Sequence, residues 1–208
     1  MKVTKVFAAA AVLLLSARVV SAQVAGIPFY PTATGLGVMV AAEYGSPDPG
    51  KATVGLRAGT GFGPFGISAM VAQVKSLSTE TAIGGTVAMK VFGGGLVPVS
   101  IGVQGGFATW KDHVMVGFTP TTRTVTYMPV GVVARASIPL FPLKPFAVGY
   151  YALGTNLGTR EKEFRANVGA DFNLLLGLGF HAAYDYGSSF KTWGVGAHFN
   201  FRLPIPMM

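Results

Sequence analysis

The sequence predicts an all-β fold, an antiparallel up-and-down transmembrane β-barrel of about ten strands, and three observations support this. Half of the 208 residues are apolar and only 12% are charged, where a soluble domain usually carries about 25% charged residues. After residue 22, Gly and Pro interrupt the long charge-free stretches, so no membrane-spanning helix is expected. Apolar residues alternate with small or polar ones along most of the chain, which is typical of strands between lipid and a lumen.

The first 22 residues are predicted to be a secretory signal peptide. A basic start, Met1–Lys5, precedes an apolar run from Val6 to Leu15, and Val20-Ser21-Ala22 forms a small-x-small end. The apolar run is shorter than the roughly 20 residues that a membrane-spanning helix needs. We therefore expect cleavage after Ala22 and a single outer-membrane barrel domain formed by residues 23–208.

Cysteine content and charge exclude several function classes. The chain has no cysteine, which excludes a disulfide framework, thiolate chemistry and a cysteine-based metal site. The formal net charge is +8, and Lys2, Lys5 and Arg18 leave with the predicted signal peptide. The remaining basic residues form no dense cluster interleaved with aromatic residues, so nucleic acid is not expected as a partner. We also expect no cofactor and no metal site.

The last three predicted strands show the clearest alternation. Their predicted outward residues are Phe164, Ala166, Val168, Ala170 and Phe172, then Leu178, Phe180, Ala182, Tyr184 and Tyr186, and finally Trp193, Val195, Ala197, Phe199 and Phe201. Polar or small residues occupy most of the positions between them. Three successive segments with a period of two predict three consecutive lipid-facing strands.

Earlier segments follow the same pattern less regularly. Outward rows are predicted in the segments 36–44, 54–58, 83–91 and 97–103. The register is ambiguous in the segments 66–75 and 123–138. The segment 144–154 predicts a strand with Phe146, Val148, Tyr150 and Ala152 outward. Ten strands of roughly 9 to 13 residues result, and eight follow if an ambiguous pair is a loop region.

The connections between these strands fall into two groups. Five are expected to be extracellular, at residues 46–51, 76–80, 111–122, 156–163 and 187–189. Four turns are expected to be periplasmic, at residues 61–66, 93–95, 139–145 and 174–176. An even number of strands places both termini on the periplasmic side.

Aromatic residues lie near both ends of the predicted outward faces. Phe164 and Phe172 are eight positions apart, and so are Trp193 and Phe201. Eight residues rise about 26 Å along a strand, a spacing suited to two interfacial girdles. The predicted girdle consists of Phe164, Phe172, Tyr184, Trp193, Phe199 and Phe201.

With this pattern the chain resembles the small single-chain outer-membrane barrels of Gram-negative bacteria. The resemblance covers nearly the whole mature sequence and is one of pattern, without a specific motif. It implies the bacterial cell outer membrane as the location, outer-membrane lipids as surroundings, and the barrel-assembly and periplasmic chaperone machinery as partners. The last strand of such barrels usually ends the chain on an aromatic residue, whereas residues 202–208 follow Phe201 here.

The predicted inward faces carry charged residues and histidines that we interpret as a polar network in the lumen. The network residues are Glu43, Arg57, Lys90, Arg135, Arg165, Asp171, His181, Asp185, His198 and Arg202. Small residues are also predicted inward, including Gly55, Gly59, Gly102, Gly149, Gly169, Gly179, Gly194 and Gly196. They leave room for a narrow water path or a small molecule, or they permit tight coiling around a blocked or very narrow lumen, which is the interpretation we favour.

These observations favour an integral outer-membrane protein with a structural, adhesive or narrow-pore role, and not an enzyme. The first alternative is a lipid-modifying or proteolytic outer-membrane enzyme that uses His181 or His198 with a carboxylate. We assign no catalytic residue because no nucleophilic serine is evident at the right depth. The second alternative is a soluble exported β-barrel that binds a hydrophobic ligand. The sequence identifies no external ligand.

Overall fold

The architecture is known from a computed structural model, which describes residues 26–48, 50–75, 79–94, 97–116, 119–137, 141–156, 159–188 and 191–201. The predicted signal peptide and Arg202 lie outside these residues. The described elements are β1 (Gly37–Asp48), β2 (Thr53–Phe62), β3 (Phe65–Lys75), β4 (Thr79–Gly94), β5 (Val97–Val116), β6 (Thr119–Ala136), β7 (Leu143–Asn156), β8 (Thr159–Asn173), a 3-10 turn (Leu175–Gly177), β9 (Leu178–Tyr186) and β10 (Lys191–Phe201). None of the described residues belongs to a helix long and apolar enough to cross a membrane.

The ten strands form one closed antiparallel barrel, in which each strand pairs with its neighbours in sequence. Closure is made by β1 and β10, whose ladder runs from Val38 opposite Phe201 to Asp48 opposite Lys191. A closed sheet leaves no unpaired edge, so its backbone groups bond one another all round the barrel. The all-β up-and-down barrel and the count of ten strands are confirmed.

Alternate residues of the strands face outward, and this outer surface is apolar. Along β9 exposed and buried residues alternate without a break from Leu178 to Tyr186. Large apolar side chains that a soluble protein would bury are exposed, among them Phe164 at 68% and Trp193 at 47%. The outward rows predicted for β1, β8, β9 and β10 lie on this surface.

The predicted orientation of β7 is wrong. Phe146, Val148, Tyr150 and Ala152 were expected outward, but each is at most 5% exposed and faces the lumen. Gly149, which was expected inward, lies in the opposite row. The expectation assumed a polar lumen, whereas the interior beside β7 is apolar.

Two predicted loops are strands for much of their length. β5 and β6 continue to Val116 and from Thr119, so most of the predicted loop 111–122 is a paired hairpin. β8 begins at Thr159, inside the predicted loop 156–163. Thr and Val, which favour extended backbone, are frequent in the β6 part of the hairpin.

The two ends of the barrel differ. The β2–β3 turn, the 3-10 turn, the start of β1 and the end of β10 lie at one end, called the turn end here. The β1–β2, β5–β6 and β9–β10 connections lie at the other, called the loop end.

Candidate functional site: the barrel lumen

Residues 26–35, called the lumen segment here, run through the inside of the barrel. Ile27 and Phe29 are each 1% exposed and Tyr30 is 4% exposed. At the loop end Gly26 lies beside Pro47 and Thr53. At the turn end the Gly35 amide donates a hydrogen bond of 2.9 Å to the Gly63 carbonyl. The lumen segment therefore runs from the loop end to the turn end, and the predicted mature N-terminus at residue 23 lies outside the described residues.

One glutamine side chain holds the middle of the lumen segment. The Thr32 amide donates to Gln104 Oε1 at 3.0 Å, and Gln104 Nε2 donates to the Tyr30 carbonyl at 3.1 Å. Arg135 Nη2 donates to the Pro31 carbonyl at 3.4 Å. Buried backbone groups need partners, and β5 and β6 supply them here.

A chain of hydroxyl groups ties the same part of the segment to two more strands. Thr32 Oγ1 contacts Thr86 Oγ1 on β4, and Ser68 Oγ on β3 lies 2.6 Å from Thr86 Oγ1. All three residues are buried. Beside them a cavity of about 40 Å³ reaches Arg135, which is room for a few water molecules and not for a channel.

Three lumen glycines make space for the backbone of the lumen segment. A Cβ atom on Gly45, at the loop end, would overlap the backbone of Gly26 and Ile27. At the turn end, a Cβ atom on Gly61 or Gly66 would overlap the backbone of residues 33–35. The backbone of the lumen segment therefore occupies the space that side chains at these three glycines would fill.

Aromatic side chains of the segment form an apolar core with β7. The Phe29 and Tyr150 rings meet edge to face with centroids 5.0 Å apart, and Tyr30 meets Phe146 in the same manner at 6.3 Å. Ile27 belongs to the same buried cluster. Burial of such side chains stabilises each by roughly 1.5–3 kcal/mol relative to exposure, and this explains why β7 turns its apolar row inward.

A first polar group, the anchor cluster, consists of Tyr150, Arg165 and Asp185. Arg165 Nη2 donates to Asp185 Oδ1 at 2.9 Å and Arg165 Nε donates to the Tyr150 hydroxyl at 2.9 Å. The Tyr150 hydroxyl donates to Asp185 Oδ2 at 2.5 Å. Asp185 Oδ2 also accepts from the Phe29 amide at 3.4 Å. Since each partner of this fully buried ion pair has further hydrogen bonds, its charges are compensated.

A second polar group, the histidine cluster, consists of Glu43, Arg57, Asp171, His181 and His198. Glu43 lies 2.8 Å from Arg57 Nη2 through Oε1 and 2.6 Å from His181 Nε2 through Oε2. His181 Nδ1 lies 3.0 Å from His198 Nδ1. Asp171 is the partner of His181 across the β8–β9 ladder, and its side chain is 20% exposed. The cluster lies towards the turn end, where water reaches Asp171.

Tyr30 connects the lumen segment to the histidine cluster. Its ring meets the His181 ring edge to face at 4.3 Å, and the Arg57 guanidinium lies over its face at 5.2 Å. A cation over an aromatic ring is attracted by the ring quadrupole. The segment therefore contacts both polar groups, through Phe29 at one and Tyr30 at the other.

Apart from Arg202, which lies outside the described residues, the predicted network residues separate into these two clusters and two residues beside them. Arg135 Nη2 lies 3.8 Å from Asp171 Oδ2, and Lys90 is half-buried on β4 near the turn end. Of the predicted girdle, Phe164, Phe172, Tyr184, Trp193 and Phe201 are exposed on the outer surface. Phe199 is half-buried, with its ring 4.3 Å from that of Phe201.

Sequence reasoning missed Phe29, Tyr30, Gln104 and Tyr150. Phe29 and Tyr30 precede the first alternating segment, and Tyr150 was placed on the outside. The signal that could have found the segment is the number of inward glycines, since a barrel of this size is otherwise filled by its side chains.

No protein-family model and no curated protein matches this sequence. Among solved structures, the barrel is similar to the β domain of the Bordetella autotransporter BrkA, with 11% identity, coverage of 81% of this chain and 100% of that chain, and a TM-score of 0.52. It is also similar to the N-terminal β-barrel domain of Pseudomonas aeruginosa OprF, with 12% identity, coverage of 80% and 100%, and a TM-score of 0.45. Identities this low report on the fold alone. With ten antiparallel strands closed around a lumen, the chain has the fold of the bacterial outer-membrane β-barrels.

Proposed function

We propose that this chain is an integral protein of the bacterial outer membrane with a sealed lumen and a structural, loop-displaying role. The proposal rests on the lumen segment, which runs from the loop end to the turn end and is hydrogen-bonded to side chains of the barrel strands. Buried aromatic residues and paired charges fill the space around it. Such an interior supports a barrel that does not conduct, in preference to a narrow pore.

The outer surface supports the location. Its exposed apolar side chains continue round the barrel, from Val40 on β1 to Val195 on β10. Exposure of these rows to water would be costly, whereas contact with lipid is favourable. A soluble barrel that binds a hydrophobic ligand would instead need an apolar cavity inside, where the lumen segment lies.

The hairpin of β5 and β6 supports a display role. The β4–β5 ladder ends at Ile83 opposite Thr109, while the β5–β6 ladder continues to Val116 opposite Thr119. Asp112 Oδ2 accepts from Arg123 Nε across the hairpin at 2.8 Å. The hairpin therefore extends beyond the neighbouring strands at the loop end, with an ion pair between its two strands, where an extracellular partner could contact it.

The contacts of His181 support a non-enzymatic role. Both ring nitrogens of His181 are engaged, one by Glu43 and the other by His198. A general base must present a nitrogen to the proton that it removes. In this arrangement His181 has no nitrogen left for a serine or water nucleophile.

Planar-bilayer recording on the refolded mature chain tests the sealed lumen. The shift in SDS-gel mobility on boiling first identifies the closed barrel. We expect no stepwise conductance from the wild-type chain. In the Gly45→Val, Gly66→Val variant the new side chains occupy the place of the lumen segment, so we expect conductance steps.

The matched control is the variant Gly105→Val, Gly149→Val. A Cβ atom at either position has its nearest neighbour at 3.6 Å or more, so this variant should remain silent. Water-filled pore conductance from the heat-modifiable wild-type barrel would contradict the proposal. A chain that shows no mobility shift and fractionates with soluble periplasmic proteins would contradict the membrane location and favour the soluble ligand-binding barrel.

A further inference from the structure

We propose that Asp171, His181 and His198 form a binding site for one divalent transition-metal ion of the zinc class, with Glu43 as the outer carboxylate that orients His181. The site lies inside the barrel towards the turn end. It extends beyond the proposed sealed, structural role and does not depend on it, because it requires only the described barrel.

Three neighbouring strands bring the three ligands together. Asp171 on β8 is opposite His181 on β9, and His198 on β10 is two positions from Gly196, the residue opposite His181. One ligand atom from each of the three side chains lies within 4.8 Å of the other two. Rigid paired strands are a better support for a ligand set than loops are.

The distance between the two imidazoles suits a shared ion. His181 Nδ1 and His198 Nδ1 are 3.0 Å apart, and two nitrogens bound to one tetrahedral zinc at about 2.0–2.1 Å are about 3.4 Å apart. The two rings are nearly parallel with centroids 5.3 Å apart, so the two nitrogens face each other. To admit the ion, the nitrogens must separate by a few tenths of an ångström and each ring must turn by roughly 35° towards one tetrahedral centre. One of these nitrogens must carry a proton if their contact is a hydrogen bond, and the ion would replace that proton.

The second ring nitrogen of His181 contacts a carboxylate, as the outer nitrogen of a metal-bound histidine usually does. His181 Nε2 lies 2.6 Å from Glu43 Oε2, and Glu43 is in turn paired with Arg57 at 2.8 Å. A carboxylate that accepts the outer N–H fixes the tautomer and leaves the other nitrogen unprotonated for the metal. This orientation is already present in the metal-free cluster.

Asp171 gives a cation access to the cluster. Glu43 and Asp171 balance the charges of Arg57 and Arg135 in the metal-free cluster, so the ion adds positive charge that water beside the partly exposed Asp171 must compensate. Arg135 is only loosely paired with Asp171, at 3.8 Å, and also donates to the Pro31 carbonyl. It can therefore release the carboxylate while keeping a partner. The 20% exposure of the Asp171 side chain gives the ion an entry from the turn end and leaves a position for water.

The donor set selects the class of ion. Two imidazole nitrogens and one carboxylate oxygen suit zinc and its transition-metal neighbours, whereas magnesium and calcium prefer sites made of oxygen. Cobalt(II) is a spectroscopic probe for such a site, because a low coordination number gives it strong absorption in the visible range.

Isothermal titration of the refolded, untagged full mature chain with Zn²⁺ tests the proposal, with Co²⁺ absorption as a second readout. We expect one saturable ion per chain. Loss of a ligand in His198→Ala should weaken binding by more than the 10–100-fold that loss of an outer-shell partner usually costs. Glu43→Gln should fall within that 10–100-fold range, because the ligands remain.

His113→Ala is the matched control, since His113 is the third of the three histidines in the chain and lies on the hairpin outside the lumen. It should bind as the wild type does. The boiling-dependent gel shift identifies variants that fold, and Asp171→Asn replaces His198→Ala if the latter does not. No saturable binding by the wild type, or equal binding by a folded ligand variant, would overturn the proposal. Conductance of the barrel has no bearing on either result.

Discussion

The anchor cluster and the histidine cluster use the same kinds of side chain inside one lumen but differ in how completely they are paired. In the anchor cluster, Arg165 and Asp185 are fully buried and bonded to each other, to Tyr150 and to the backbone of Phe29. In the histidine cluster, Asp171 is partly exposed and its arginine partner is 3.8 Å away. The first cluster is therefore suited to hold the lumen segment, and the second retains the capacity to bind an ion.

The positions of the two clusters along the barrel correspond to this difference in pairing. Asp185 and Arg165 are nearer the loop end, where the Phe29 amide reaches them. Asp171 and His198 are near the turn end, within a few residues of the ends of β8 and β10. Depth in the lumen decides whether water can compensate a charge or whether protein groups must do so.

Breaking the anchor cluster should have the largest effect. Arg165→Met leaves Asp185 buried without its cation, and loss of one partner of a buried pair costs about 3–5 kcal/mol. We expect the free energy of unfolding, measured by urea titration with tryptophan fluorescence in detergent micelles, to fall by that amount. The double variant Arg165→Met, Asp185→Leu removes both charges and should recover most of the loss. An equal fall in the free energy of unfolding in the single and double variants would show that the unpaired charge of Asp185 is not the cause of the lost stability.

Removal of the glutamine that holds the lumen segment should come next. Gln104→Leu leaves the Thr32 amide and the Tyr30 carbonyl without partners, at about 1–3 kcal/mol for each buried group. Hydrogen exchange should show loss of protection in residues 29–33 while the strands stay protected. Gln73→Leu is the control, because Gln73 is exposed on the outer face of β3. Similar exchange in both variants would contradict the role of Gln104.

Zinc should distinguish the two clusters directly. At a free concentration 100 times its Kd, a ligand that binds only the folded state raises the free energy of unfolding by about 2.7 kcal/mol. We expect this gain in the wild type and in His113→Ala, and less than about 0.4 kcal/mol in His198→Ala, since weakening beyond 100-fold removes most of it. The same urea titration measures all three. A gain in His198→Ala equal to that of the wild type would place the ion elsewhere.

The smallest effect is expected on the hairpin. The Asp112–Arg123 pair is partly exposed, with side chains 15% and 20% accessible, and such pairs contribute about 0.2–1 kcal/mol. Asp112→Asn should leave barrel unfolding within that range of the wild type. A loss as large as that of Arg165→Met would mean that the hairpin, and not the lumen, limits stability.

The sequence predicted the outer face of the barrel better than its interior. The last three strands alternate strictly because lipid on one side requires apolar residues, and this rule depends only on local sequence. β7 was assigned the wrong face because its inward row, from Phe146 to Ala152, is as apolar as a lipid-facing row. The lumen segment makes that interior apolar. Its contacts with β7 join distant parts of the chain, and such contacts produce no periodic pattern in the sequence.

For the candidate site, the sequence predicted which way the residues face but not which residues they contact. His181, His198, Asp171, Asp185 and Arg165 were predicted inward from alternation, and all are inward. Alternation could not show that they separate into two clusters, nor that Phe29 and Tyr30 contact them. Gly45 and Gly66 leave the space that the lumen segment fills, but neither was among the glycines predicted to face inward.

An engineered disulfide between the lumen segment and β4 tests whether residues 26–35 lie inside the barrel. The chain has no cysteine of its own, so the pair Thr32→Cys, Thr86→Cys replaces two hydroxyls that touch across the lumen without any competing thiol. After mild oxidation of the folded barrel, we expect this cross-link to form nearly completely, as shown by mass spectrometry of thiol-blocked peptides. The pair Thr32→Cys, Thr60→Cys, in which Thr60 faces outward, should stay reduced. Free thiols in the first pair, or equal cross-linking in both pairs, would contradict a lumen segment inside the barrel.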